Sequence, residues 1–222
     1  MKKKNYYIFK MDLNCLNILS IILLIGLLIF NHFVVGYDVF NKLFAMNNLF
    51  RIVLYYFLYA IIHEILHAIS YVLNGGSFNK IIFGVMLEKG ILYCLCKQNI
   101  SKKNILISLM APFFVIGICT YIIGVYLDIP ILVLLSIANM SGCVGDLVMF
   151  KYIFKLKDIE FSEFDDPTSF AIYSSTDVSK INHFGLKNVG KKENINKKIL
   201  NKFVISRASI LFILFIFIIC FF

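Results

Sequence analysis

Residues 13–35, LNCLNILSIILLIGLLIFNHFVV, contain no Asp, Glu, Lys or Arg. A hydrocarbon core about 30 Å thick takes roughly 20 helical residues to cross, and this run is long enough. Inside lipid a backbone must satisfy its own polar groups, which leaves the α-helix as the form such a segment takes. Four more stretches are predominantly apolar over a similar length, at 51–73, 105–127, 130–154 and 203–222. With 60% of its 222 residues hydrophobic, the chain is too apolar for an ordinary soluble domain. The expected fold class is an all-α membrane protein, a polytopic bundle of about five transmembrane helices. The basic opening MKKKNYYIFK imitates a secretory signal. The apolar run behind it is longer than a signal's core and no A-x-A-like site closes it, so it reads as an uncleaved first span.

Between the second and third spans the pattern changes. Asn74, Gly75 and Gly76 stop a helix, and two short apolar runs, 81–87 and 91–96, flank the loop EKG. This predicts a short β-hairpin within 80–97. Pro112 falls inside the third span and kinks it, whereas Pro130 opens the fourth, where its missing N–H costs nothing. Residues 157–202 hold DIEFSEFDDP and KKENINKK and read as a polar, partly ordered segment outside the bilayer. The expected division is a cytosolic N-terminus at 1–12, a membrane core at 13–156, the polar cytosolic segment at 157–202 and a C-terminal transmembrane helix at 203–222. Lysines crowd the N-terminus, the hairpin region and the segment after the fourth span, which places those parts on the cytosolic side of the cell membrane. The same rule accounts for the net charge of +9 without a nucleic-acid partner. The six cysteines follow no disulfide or metal spacing and read as reduced thiols that fill space.

The second span carries AIIHEILHAI at 60–69. A charged side chain at the centre of a membrane helix is disfavoured by about 2.5–3.5 kcal/mol, so three strongly polar residues within five positions need a reason. His63-Glu64-Ile65-Leu66-His67 is an H-E-x-x-H pattern. On a helix His63 and His67 lie about 40° apart on one face, where both imidazoles can grip one zinc ion. Glu64 points to the same side and can reach a water there. A catalytic zinc takes three protein ligands and keeps one position open. Asp146, among the small residues Ser141, Gly142, Cys143 and Gly145, is the candidate third ligand. Ile65 lies nine residues before Asn74, and Asp146 nine before Lys155. Each is therefore about 13 Å from the cytosolic end of its helix, at one depth. Asn139, about two turns before Asp146, is a candidate for substrate binding. Cys143 is close enough in sequence to reach the metal but reads first as packing. His32 and His183 have no companion ligands nearby.

At these residues the chain resembles intramembrane metalloproteases of the site-2 protease class. It is more closely similar to the small bacterial membrane proteins grouped as zincin peptidases. The resemblance rests on HEILH in the second span, the Gly-rich turn with its apolar hairpin, LMAPFF in the third span and SGCVGD in the fourth, over about residues 50–155. It implies zinc ligands at His63, His67 and Asp146, with Glu64 as the catalytic acid/base. One departure stands out: site-2 proteases usually place a glycine after the aspartate, and here Gly145 precedes it. The reading is a zinc-dependent endopeptidase whose partners are the lipid bilayer and a membrane-protein or peptide substrate, held in extended form along the hairpin. The alternative is a zinc-binding membrane protein that is not an enzyme, with a transport or interaction role.

Overall fold

Asp12 ends the first strand and starts the first helix. Its carboxylate accepts the Cys15 N–H at 3.4 Å, which satisfies one of the free donors of the helix start. Strand β1 (Asn5–Met11) thus runs directly into α1 (Leu13–Phe30), which widens into a π-helical turn, Asn31–Val35, and stops at Gly36. The computed structural model describes residues 5–44, 49–86, 91–157, 159–163, 168–174, 178, 185–190 and 201–203. After the short α2 (Val39–Phe44) comes the long α3 (Leu49–Leu73). It ends where Gly75 takes φ +90° and the Gly76 N–H closes back on the Tyr71 carbonyl at 2.8 Å. A Cβ on Gly76 would sit 2.7 Å from that oxygen, so the stop requires glycine there.

The hairpin pairs β2 (Ile81–Met86) with β3 (Ile91–Cys96), in register from Ile81↔Cys96 to Met86↔Ile91. A two-residue strand β4 (Ile100–Ser101) precedes α4 (Lys102–Pro112), with the Ser101 hydroxyl as N-cap. A π-helical segment, Phe113–Cys119, joins α4 to α5 (Thr120–Tyr126). The fourth hydrophobic stretch forms two helices, α6 (Pro130–Gly142) and α7 (Val144–Lys155), bent by 44° at Cys143. Pro130 occupies the first turn of α6, as its missing N–H predicts. Strands β5 (Ile159–Glu163), β6 (Ser169–Ser174), β7 (Leu186–Gly190) and β8 (Asn201–Phe203) follow.

The expected all-α class is corrected by two antiparallel sheets. One has the order β4-β5-β6-β1-β7 and the other β3-β2-β8. The physical reason lies in segments that read as polar ends. NYYIFKM, IEFSE and SFAIYS each alternate, and one side of each strand carries large apolar groups. Phe9, Phe161 and Phe170 are 1% exposed or less; Phe170 stacks with both Phe9 and Phe161, and Phe9 meets the ring of Tyr152 in α7 at a tilt, their centroids 4.9 Å apart. Full burial of each such ring stabilises by about 1.5–3 kcal/mol, enough to hold the sheet against the ends of α4 and α7. β2 and β3 pair antiparallel, and residues 87–90, which fall between them, lie outside the described residues. The proposed fifth span also lies outside them, apart from Phe203 in β8.

Among the described residues, three helical stretches are long and apolar enough to cross a membrane: Leu13–Val35, Arg51–Leu73 and Lys102–Tyr126. The bent pair α6–α7 makes a fourth if it is taken as one span. Strand pairing bears on the count. β1 comes before α1, β4 between α3 and α4, and β5 and β6 after α7, yet all four lie in one sheet. A chain that returns to the same sheet has crossed a membrane an even number of times. Side-chain ties align the helix ends at this level. Lys102 Nζ donates to the carbonyls of Phe154 and Leu156 at 2.9 and 2.5 Å, and Asn104 Nδ2 donates to the Asn74 carbonyl at 2.5 Å. The start of α4 is thereby tied to the ends of α3 and α7. At the opposite end Lys42 pairs with Asp128, linking α2 to the turn after α5.

Candidate metal centre

The HEILH residues occupy the middle of α3, whose next turn toward the sheet packs Ala68 and Tyr71 into the core. His63 and His67 project from one face, and their Nε2 atoms are 3.2 Å apart. The bend at Cys143 brings Asp146 to them. Because the helix restarts at Val144, Asp146 falls in the first turn of α7, where the helix dipole favours a carboxylate by about 0.3–1 kcal/mol. Its Oδ2 lies 3.3 Å from His63 Nε2 and 3.6 Å from His67 Nε2. The side chains are 16%, 8% and 17% exposed for His63, His67 and Asp146, so the cluster is largely closed to solvent.

The three donor atoms form a triangle with sides of 3.2, 3.3 and 3.6 Å. Tetrahedral zinc with bonds of about 2.0–2.1 Å holds its ligand atoms roughly 3.3 Å apart, so the triangle matches one face of that tetrahedron. Two imidazole nitrogens and a carboxylate form the N/O donor set of catalytic zinc sites, and three electron-rich atoms this close repel one another unless a cation or a proton lies between them. The donor set therefore fits zinc.

Both rings are oriented from behind. His67 Nδ1 donates to the Ser108 carbonyl at 2.9 Å, and His63 Nδ1 donates to Asn139 Oδ1 at 2.9 Å. With Nδ1 protonated on each ring, Nε2 keeps its lone pair and faces the centre of the triangle. Asn139 Nδ2 donates to the Pro112 carbonyl at 3.1 Å, which fixes the amide with its oxygen toward His63. The structure thus brings together His63, His67 and their depth-matched partner Asp146, with Glu64 next to His63 on α3. It places Asn139, expected at the substrate, against the back of His63, with both ends of its amide engaged. Cys143 Sγ stands 4.0 Å from His63 Nδ1, on the side away from the triangle, and packs there fully buried. His32 lies at the far end of α1 against Phe33, and His183 is outside the described residues. Ser108 escaped the sequence reading because a backbone acceptor has no side-chain signature. Its trace is indirect, a proline four residues on.

Glu64, one residue past His63 on α3, lies near the backbone of Cys94 in β3. Residues 56–159 match the model of a family described as "Putative zincin peptidase". The matched segment begins within α3 and stops at the first residue of β5, so it takes in the whole donor triangle, the hairpin and the bend at Cys143. Strand β1, α1 and β6 to β8 lie outside it. No curated protein and no solved structure matches the chain.

Proposed function

We propose that the chain is a zinc-dependent endopeptidase embedded in the cell membrane, cutting membrane-associated protein or peptide substrates from a site on the cytosolic side. The donor triangle beside Glu64 carries this reading, and the match to the zincin-peptidase family supports it. His63, His67 and Asp146 would hold the metal. When bound, zinc supplies Lewis acidity for a peptide carbonyl and lowers the pKa of a bound water to about 7. Glu64 acts as the proton carrier, taking a proton from the attacking water and delivering it to the departing amine.

The hairpin supports a peptide substrate. β3 is an edge of its sheet, while β8 covers the other side of β2. An extended chain can add to β3 by main-chain hydrogen bonds. It would pass close to Glu64, which lies near Cys94 of that strand. Exposed edges are excluded from lipid, and β3 turns its edge toward α3. The even number of crossings supports four spans between β1 and β5, and the lysines at the sheet end, including Lys10, Lys97, Lys102 and Lys155, support a cytosolic sheet.

The test is Glu64→Gln in the purified chain, reconstituted with membrane-anchored peptides. The variant should keep zinc and lose cleavage by about 10²–10⁴-fold, the share typical of a general acid/base. Cleavage persisting at the wild-type rate would refute the mechanism. Zinc flux into liposomes without any peptide cleavage would favour a transport role instead.

A further inference from the structure

α4 ends on Pro112, and proline carries no backbone N–H. In a continuous α-helix the N–H of residue 112 would close on the carbonyl of Ser108. Proline removes that donor, and the next N–H, from Phe113, goes to Met110 instead. Ser108 is fully buried, so its carbonyl must find a partner inside the protein. The partner is Nδ1 of His67, at 2.9 Å. Pro112 contributes a second time through its own carbonyl. That oxygen takes Asn139 Nδ2 at 3.1 Å, which leaves Asn139 Oδ1 to accept His63 Nδ1 at 2.9 Å.

We propose that Pro112 is a positioning residue for both metal-binding histidines: its missing N–H hands the Ser108 carbonyl to His67, and its carbonyl anchors Asn139 behind His63. The proline then does more than bend a membrane helix. It turns a main-chain oxygen into a fixed acceptor at the depth of the site, and it sets both Nε2 atoms toward Asp146. Outer groups of this kind hold ring orientation and tautomer, and their loss costs about 10–100-fold in metal affinity. This inference rests on the zinc reading above.

The experiment compares zinc affinity, by competition with a chromophoric chelator, and melting of the metal-free full-length protein in detergent. Pro112→Ala restores an N–H that competes with His67 for the Ser108 carbonyl. Zinc affinity should fall by about 10–100-fold. The metal-free melting temperature should hold or rise, since the helix gains a bond and loses a steric clash. A purely structural kink predicts the opposite pattern, lower stability with zinc affinity unchanged. Pro112→lactic acid, introduced as a backbone ester, has no N–H and no ring and should keep wild-type zinc affinity. Wild-type affinity in Pro112→Ala would overturn the proposal, and so would an ester variant that binds zinc poorly. Should Pro112→Ala fail to fold, the ester variant against wild type decides alone. A wild-type protein that binds no zinc would sink the enzymatic reading itself, whereas tight zinc in both wild type and Pro112→Ala would sink this inference only.

Discussion

Asp146 is held by two helices at once: its backbone belongs to the first turn of α7, and its carboxylate meets imidazoles from α3. Replacing it with Ala should remove one side of the donor triangle while leaving the bend at Cys143 in place. Metal analysis of purified Asp146→Ala is expected to find well below one zinc per chain, and His67→Ala should behave alike. Cys143→Ala is the contrasting case. Its thiol stands behind His63, on the Nδ1 side, so zinc content should match wild type. Zinc lost from Cys143→Ala and retained in Asp146→Ala would reverse the ligand assignment. The two replacements differ by three positions in sequence, and the bend between α6 and α7 separates their roles.

At the scale of elements, the junction of β1 and α1 depends on one carboxyl group. Asp12 caps α1 through the Cys15 N–H and pairs with Lys187 of β7 at 2.7 Å. The Lys187 ammonium and the Cys15 N–H hold its carboxyl below the usual carboxylate range. A group whose pKa is depressed by folding stabilises the fold above its unfolded pKa, about 3.9 for Asp, and loses that contribution as pH falls through the folded value. Asp12→Asn keeps a capping oxygen but not the ion pair. The melting-temperature gap between wild type and this variant should therefore be present at pH 5 to 7 and shrink below about pH 4. A gap independent of pH would rule the pair out as its source. The helices themselves were legible in the sequence. Apolar length gave α1, α3 and the α4–α5 unit, and glycines and prolines gave their ends. The five-stranded sheet was not, because β1 and β6 are short, carry few turn signals and depend on partners more than 150 positions apart. The site divided in the same way. H-E-x-x-H and the shared depth pointed to His63, Glu64, His67 and Asp146. The role of Asn139 depends on which neighbour its amide meets, and no spacing encodes that.

For the whole molecule, the shared sheet constrains topology. In the four-span arrangement proposed above, residues before α1, between α3 and α4 and after α7 would lie on one side of the membrane, and Lys42 of α2 and Asp128 on the other. Single cysteines placed at Lys42 or Asp128, in a chain with its native cysteines replaced, should react with an impermeant thiol reagent added to intact cells. Cysteines at Lys97 or Lys187 should be protected until the membrane is opened. Labelling of Lys97→Cys from outside would break the four-span arrangement. The sheet also orders events in time. β1 is made before the helices, yet its neighbours β6 and β7 are separated from it by all the described helices. At a synthesis rate of about 5–20 residues per second, β1 waits roughly 10–30 s for β6 to appear. Throughout that interval both edges of an aromatic-rich strand stand open to other chains. The newborn chain is therefore most prone to aggregate before β6 and β7 emerge, and closing the sheet signals that the helices between β1 and β6 have all been made.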